Sequence, residues 1–230
     1  MAQPILLLLA APPLGVFAVA AAVFDAPPVL AGLLALLSAF VWSDAWYFIK
    51  MAIYQVHVLL LPEPSRPRLD LFDSHVRHDR VGLTDIDRNG HCNNARYLRE
   101  CGFGRRDLWK ANGVWAVVRS VGGNLVVAAQ TVRYRRELSL GQAYALESRV
   151  LAWDDAAFYV EQRFVTTGAD GKDFVHAIVY VKNHVLGSKR PADLVAAVAP
   201  GTMAPMIPDE IRLWNEANAI CSAKLRPKKL

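Results

Sequence analysis

From residue 5 to residue 24 the chain reads ILLLLAAPPLGVFAVAAAVF, twenty positions without a charge. That length spans a bilayer as a helix, and Pro12 and Pro13 make a kink that membrane helices tolerate. DAPP, residues 25 to 28, breaks the run. A second apolar stretch from Val29 to Phe48 is interrupted only by Asp44, and Trp42, Trp46 and Tyr47 cluster near its end, as aromatics do at a membrane interface. Met51 to Leu61 is expected to lie along that surface. The pattern predicts a membrane region over residues 1–62, as one span or a helical hairpin, followed by a Pro-rich linker over 63–69.

Beyond the linker the period changes. Residues 74–84 read as a strand, and Asn89-Gly90 marks a turn after it. Asn93 or Asn94 is a helix N-cap, and residues 94–110 place Leu98, Cys101, Leu108 and Trp109 near helical spacing. Asn112-Gly113 stops that helix. Gly122-Gly123 interrupts an apolar run around Val117 and Val127, and residues 125–138 read as a strand. Three alternating segments follow at 143–153, 157–167 and 174–186, separated by Asp154-Asp155 and by GADG, which makes an antiparallel meander. Pro191 and Pro208 open two C-terminal helices, the second carrying Ile211, Trp214, Ala217 and Cys221. One strand, one long helix and several antiparallel strands predict an α+β domain over 70–190 whose sheet wraps the helix, with a helical extension and basic tail over 191–230.

Charge sharpens this division. The 230-residue chain is 53% hydrophobic, yet residues 1–62 hold only three formal charges, Asp25, Asp44 and Lys50. The body carries 25 Lys and Arg against 19 Asp and Glu, and is long enough for one hydrophobic core. Lys50, Arg66 and Arg68, the basic residues nearest the head, lie on the body side, so the positive-inside bias predicts a cytosolic body. A cleaved secretory signal is the rival reading, but no Lys or Arg precedes the first apolar run. Arg226 and Lys228 in the terminal RPKKL resemble a dibasic endoplasmic-reticulum retrieval signal, against a plain basic terminus. Three cysteines, Cys92, Cys101 and Cys221, provide neither a disulfide framework nor zinc spacing, so the body reads as a domain of a reducing compartment; no metal or cofactor is expected.

The densest polar cluster is DIDRNGHCNN, residues 85–94, where a strand ends and a helix begins. Amides at a helix N-terminus carry partial positive charge and can face an anion or a developing oxyanion. Asp87, just before them, can act as general base or nucleophile on a carbonyl held there, while Asn89 and His91 orient a water or the carboxylate. Asp85 and Asp87 are two apart on an extended segment, and their spacing does not choose between them. Cys92 near the helix start is a candidate thiolate without supporting partners.

DIDRNGHCNNARYLRE resembles the signature of hotdog-fold thioesterases, both the Asp-x-Asn-x-His-x-Asn-Asn-x-x-Tyr run of plant acyl-ACP thioesterases and the motif of the 4-hydroxybenzoyl-CoA thioesterase group. It is closest to the thioesterase superfamily member six type, which combines an apolar N-terminus, HxNNARYLRE and a later run like AWDDAAFYVEQRF (Ala152 to Phe164). The resemblance implies a hotdog domain, a dimer with its active site at the interface, and hydrolysis of an acyl-CoA or acyl-ACP thioester. It places the catalytic carboxylate on Asp87 and the orienting pair on Asn89 and His91, with Asn93, Asn94 and Tyr97 framing the substrate. The chain departs from the bacterial enzymes at His91-Cys92, where those carry apolar residues.

Basic residues add candidate contacts for the carrier. Arg133, Arg135 and Arg136 fall in VRYRREL, and Lys189-Arg190 follows a strand; either group is a candidate for coenzyme A phosphates or an acidic carrier surface, with Arg133, Lys189 and Arg190 taken as substrate-binding, against a solvated basic face. No nucleic-acid motif accompanies the basic balance. The expected partners are therefore an acyl thioester, a membrane and a second copy. A non-catalytic membrane-tethered protein holding acyl-CoA or lipid in the same groove is the alternative function.

Overall fold

A computed structural model describes residues 2–60 and 68–225, and the chain divides into two compact units, Met1–Arg66 and Pro67–Leu230. The C-terminal Arg226 and Lys228, and most of the expected linker, lie outside the described residues.

In the first unit, α1 (Ala2–Ala22) and α2 (Pro28–Trp42) form a helical hairpin with Ala20 and Ala31 buried between them. α3 (Ala45–Leu60) follows at an angle of 97° to α2. The second apolar stretch is thus two helices rather than one. The break is local: Ser43 Oγ donates back to the Ala39 carbonyl, and Asp44 Oδ1 accepts from the Tyr47 amide, starting a new helix. Among the described residues no single helix is long and apolar enough to cross a membrane, whereas the bent α2–α3 pair meets the requirement jointly.

The second unit runs β1 (His75–Arg80), α4 (Asn94–Ala111), α5 (Val114–Ser120), β2 (Asn124–Tyr134), β3 (Ala143–Trp153), β4 (Ala157–Thr167), β5 (Asp173–Leu186), α6 (Pro191–Val198) and α7 (Asp209–Leu225). The five strands form one antiparallel sheet in the order β1-β3-β4-β5-β2. The expected meander is its centre, and β2 returns to an edge. Short α5 was read only as an apolar run.

α4 is the buried rod of this hotdog-like domain. Tyr97, Cys101, Gly104 and Leu108 fall at i, i+4, i+7 and i+11, one stripe of a 3.6-residue helix, and all are buried. Asn93 starts the helix by accepting from the Ala95 amide at 2.9 Å, and Asn112 with left-handed Gly113 (φ 81°) ends it. Gly104 is required by packing, because a Cβ there would lie 2.8 Å from Leu146 Cδ2 and 2.9 Å from Ser148 Oγ. The stripe meets Leu146, Phe158, Val160, Phe164, Val179 and Val181 from the inner sheet face. Each such side chain contributes about 1.5–3 kcal/mol on burial. α6 closes one end of the same core through Leu194, Val195 and Val198. α7 covers the opposite sheet face, where Ile211 packs with Ala152 and Tyr159.

Candidate active site

The chain leaves β1, turns through residues 81–92 and enters α4, so the polar cluster sits at the helix mouth. Two antiparallel bridges, Ile86 with Cys92 and His91 with Ser139, hold this loop closed and bring residues 135–139 alongside it. Its tip is a turn in which the Gly90 amide donates to Asp87 O at 3.0 Å with Gly90 at φ 78°.

The two aspartates that spacing left equivalent differ completely. Asp85 is buried; its Oδ2 accepts from the Gly82 amide at 2.8 Å and its Oδ1 takes a charge-assisted bond from Arg99, which also binds Glu100. Burial works against the Arg99 charge, and Glu100 and Asp85 more than offset it, raising its pKa. Asp85 therefore holds the loop against α4. Asp87 is a quarter exposed, accepts from the Asn89 amide at 2.8 Å, and places Oδ1 3.8 Å from His91 Nδ1. That imidazole nitrogen is buried without a hydrogen-bond partner. On its other side His91 Nε2 lies 3.8 Å from Glu137 Oε2. One imidazole thus stands between two carboxylates.

A cleft of about 240 Å³ opens beside this group, lined by His91, Cys92, Asn94, Tyr97, Tyr134, Arg135, Arg136 and Glu137. Tyr97 forms its buried floor; its hydroxyl accepts from the Leu138 amide at 3.1 Å, and its ring meets Tyr134 and Phe164 edge-on. Burial pushes the Tyr97 phenol up to about 12, so it stays protonated. The Tyr134 hydroxyl donates to the Asn94 carbonyl at 2.8 Å. Of the amides expected to face an oxyanion, those of Cys92 and Asn93 are occupied by Leu138 O and Asp85 O, both at 2.8 Å. The Asn94 amide, in the first turn of α4, makes no hydrogen bond among the described residues.

The structure therefore gathers His91, Asn94 and Tyr97 around one cleft, with Asp87 next to His91 but outside the cleft lining. Asn89 reaches Asp87 through its backbone, and Asn93 serves as the helix cap. Three basic candidates lie elsewhere. Arg133 faces a separate groove on the outer sheet face beside Trp214, and the exposed Lys189 and Arg190 precede α6, where Arg190 pairs with Asp193 at 3.9 Å. Arg135 and Arg136, of the same basic group as Arg133, line the cleft, stacked over Phe174 at 5.1 and 4.1 Å. Glu137 was not singled out at all. Its only sequence signal is its place in VRYRREL, at the end of a strand leading to the His91 loop. The cleft thiol is held protonated: burial first, then Asp85, push Cys92 up to about 12.

The pattern of the thioesterase-like superfamily matches residues 81–214. The chain belongs to that superfamily. Among its relatives, Protein THEM6 of Xenopus laevis is 36% identical over 183 residues, covering 80% of this chain and 85% of the relative. Protein THEM6 of Danio rerio is 34% identical over 197 residues, covering 86% and 93%. Among solved structures, a 4-hydroxybenzoyl CoA thioesterase complexed with 4-hydroxybenzoyl CoA superposes with a TM-score of 0.49 at 14% identity, covering 55% of this chain and 99% of that one. Thioester hydrolysis is the chemistry of this superfamily, and the second motif that marks it, Ala152 to Phe164, has a structural part. Asp154 turns the β3–β4 hairpin by accepting from the Ala156 and Ala157 amides at 2.8 and 2.7 Å and from the Tyr159 hydroxyl, while Asn215 of α7 donates to Tyr159 Oη at 2.7 Å.

Proposed function

We propose that this chain hydrolyses fatty-acyl thioesters of coenzyme A or acyl carrier protein, with Asp87 as the base or nucleophile. The observation that carries the reading is His91 held 3.8 Å from both Asp87 and Glu137 at the mouth of a cleft beside α4. Asp87 takes a proton from water, and the water oxygen bonds to the thioester carbonyl carbon. The resulting oxyanion faces the Asn94 amide and the positive end of α4. Collapse breaks the C–S bond, and the departing sulfur takes a proton through His91, which regains one from Asp87. Arg135 and Arg136 at the cleft rim suit the anionic carrier. Direct attack by Asp87, through an anhydride that water then opens, uses the same groups.

A second copy is part of this reading. β2 is an edge strand paired only with β5, with Val127 exposed on it, and its end reaches the cleft through Tyr134. Edge-to-edge pairing would extend the sheet and wall the cleft. Residues 1–62 are the proposed membrane attachment, at the endoplasmic reticulum with the body in the cytosol. Exposed Leu33, Leu37, Val41 and Trp42 on α2 support it, as does the bent apolar α2–α3 pair. Carbonate extraction and protease accessibility of intact microsomes test that placement.

The deciding experiment is hydrolysis of an acyl-CoA chain-length series by the full chain and by Asp87→Asn. Turnover that disappears in the variant, with acyl-CoA binding retained, is expected. Binding without turnover in the wild type would leave a tethered acyl-CoA carrier instead.

A further inference from the structure

β5 carries one residue more than its partner strand at a single place. Phe164 pairs with Ala177 and Val165 with Val175, so His176 is the extra residue of a β-bulge. Bulges re-aim side chains, and they recur beside functional sites. Here the bulge points a 3%-exposed histidine at the chain segment that walls the cleft.

Every polar atom of His176 that reaches this region is used. Its carbonyl accepts from the Arg135 and Arg136 amides at 2.8 and 3.2 Å. Its Nδ1 lies 3.0 Å from the Glu137 carbonyl and 3.3 Å from that of Arg136. A carbonyl only accepts, so Nδ1 carries the hydrogen, and in the neutral ring Nε2 accepts from the Thr166 hydroxyl 2.9 Å away. The carbonyls thus fix the tautomer, and Thr166 on the second nitrogen holds the ring plane. Phe174 meets the ring edge-on at 5.0 Å and stacks under Arg135 and Arg136. One residue therefore pins the backbone of residues 135–137, its carbonyl holding the Arg135 and Arg136 amides and its ring the Arg136 and Glu137 carbonyls, immediately before Leu138, whose carbonyl and amide bind Cys92 N and Tyr97 Oη.

We infer that His176 is a positioning residue for the active site: through its bond to the Glu137 backbone it sets the Glu137 carboxylate against His91. This rests on the thioesterase reading above for its consequence in turnover, but the geometric coupling from His176 through Glu137 to His91 can be read without any substrate. A ring that merely filled space would be replaced by Phe without effect on His91. A ring that acts as a donor would be replaced by Asn, whose amide nitrogen lies two bonds from Cβ, as Nδ1 does.

The test uses the full chain in detergent, labelled with carbon-13 at the histidine Cε1 positions. There are six histidines, and His91→Asn assigns the His91 signal. Glu137→Gln is expected to move that signal, His176→Phe to move it in the same direction, and His176→Asn to return it toward the wild-type position. Against an acyl-CoA substrate, His176→Phe should lower kcat about tenfold, the size of one lost buried hydrogen bond, with KM within about twofold. In the Glu137→Gln background the same change should cost less than about twofold. Should His176→Phe fail to fold, Thr166→Val, which removes the hydroxyl that holds the ring plane, is measured in its place with the same expected direction. A His91 signal unmoved by either His176→Phe or Glu137→Gln, or a full tenfold loss in the double variant, overturns the inference. Wild-type protein that turns over no acyl thioester while its His91 signal still follows His176 would sink the thioesterase reading and leave the positioning role standing.

Discussion

Two corners of the body carry aspartate-rich motifs, and they are built to opposite ends. At the β3–β4 hairpin, Asp154 has its oxygens filled by two amides, a tyrosine hydroxyl and a lysine 3.6 Å away. At the mouth of α4, Asp87 accepts one backbone bond and stops 3.8 Å short of an imidazole nitrogen that has no hydrogen-bond partner. The first corner ties the sheet to α7 through Tyr159 and Asn215. The second leaves its polar groups short of partners beside a cleft. Saturated hydrogen bonding at a motif marks structure; capacity left over in a partly exposed polar corner beside a cleft is a candidate for chemistry.

That contrast is broken most directly by exchanging the two carboxylates for amides. Asp87→Asn should reduce acyl-CoA hydrolysis by about 10³-fold, within the range of a lost general base, while the melting temperature changes by no more than about 2 °C. A variant that melts far lower, or keeps its rate, would place Asp87 with the structural aspartates.

The next largest effect belongs to Asp85, two residues away and buried against Arg99. Asp85→Asn leaves the guanidinium facing Glu100 alone, and should cost about 3 kcal/mol in urea unfolding, as breaking a buried pair does. Activity per folded molecule should fall less than in Asp87→Asn, and the reverse ranking would reassign the base.

Asp154→Asn comes third, with roughly 2 kcal/mol of lost stability and kcat/KM within about threefold of wild type. Its pH signature is distinctive. Burial alone would raise the Asp154 pKa; the Tyr159 hydroxyl, the Ala156 and Ala157 amides and Lys182 outweigh it and hold the pKa below the ordinary value. A depressed carboxylate contributes stability that is present above its unfolded pKa of about 3.9 and lost as pH falls through the folded one. Unfolding curves between about pH 5 and pH 2 should therefore flatten in the variant relative to wild type. Parallel curves would show that Asp154 titrates as it does in the unfolded chain.

Much of the fold was legible because its periods are strong. The two central strands begin and end at 143–153 and 157–167, as their alternation and flanking turns require, and Asn93 caps α4 as one of the two residues proposed. α5 was not, because a seven-residue apolar segment such as VWAVVRS has no room to display a period. The cleft was legible only where it is contiguous in sequence. Asp87, His91, Asn94 and Tyr97 come from one strand-to-helix passage, whereas Glu137 arrives through the His91–Ser139 bridge and His176 through a bulge. Bridges and bulges are properties of strand pairing, which no local pattern encodes. Arg133 shows the complementary limit: it pairs across from Ile178, which lines the same outer groove rather than the cleft beside His91, and period two alone does not say which face of a strand meets that cleft.

The smallest effect sharpens the comparison at the level of a single thiol. Cys92 lines the cleft beside α4, Cys101 lies inside α4, and Cys221 stands exposed on α7. Proximity to a helix start would suggest that Cys92 is activated, but burial dominates and the neighbouring Asp85 adds to it, pushing the thiol up to about 12; burial does the same for Cys101, also to about 12. Raised thiol pKa values mean that both side chains stay protonated until strongly alkaline pH, and a protonated thiol does not alkylate at a useful rate. Iodoacetamide on the native full chain at about pH 8 should therefore label Cys221 alone and leave hydrolysis within about 20% of the untreated rate. Mass spectrometry of the labelled peptides reads the outcome. Rapid modification of Cys92 with loss of turnover would move the nucleophile from the carboxylate to the sulfur, and the division between the saturated corner and the reactive one would have to be redrawn around it.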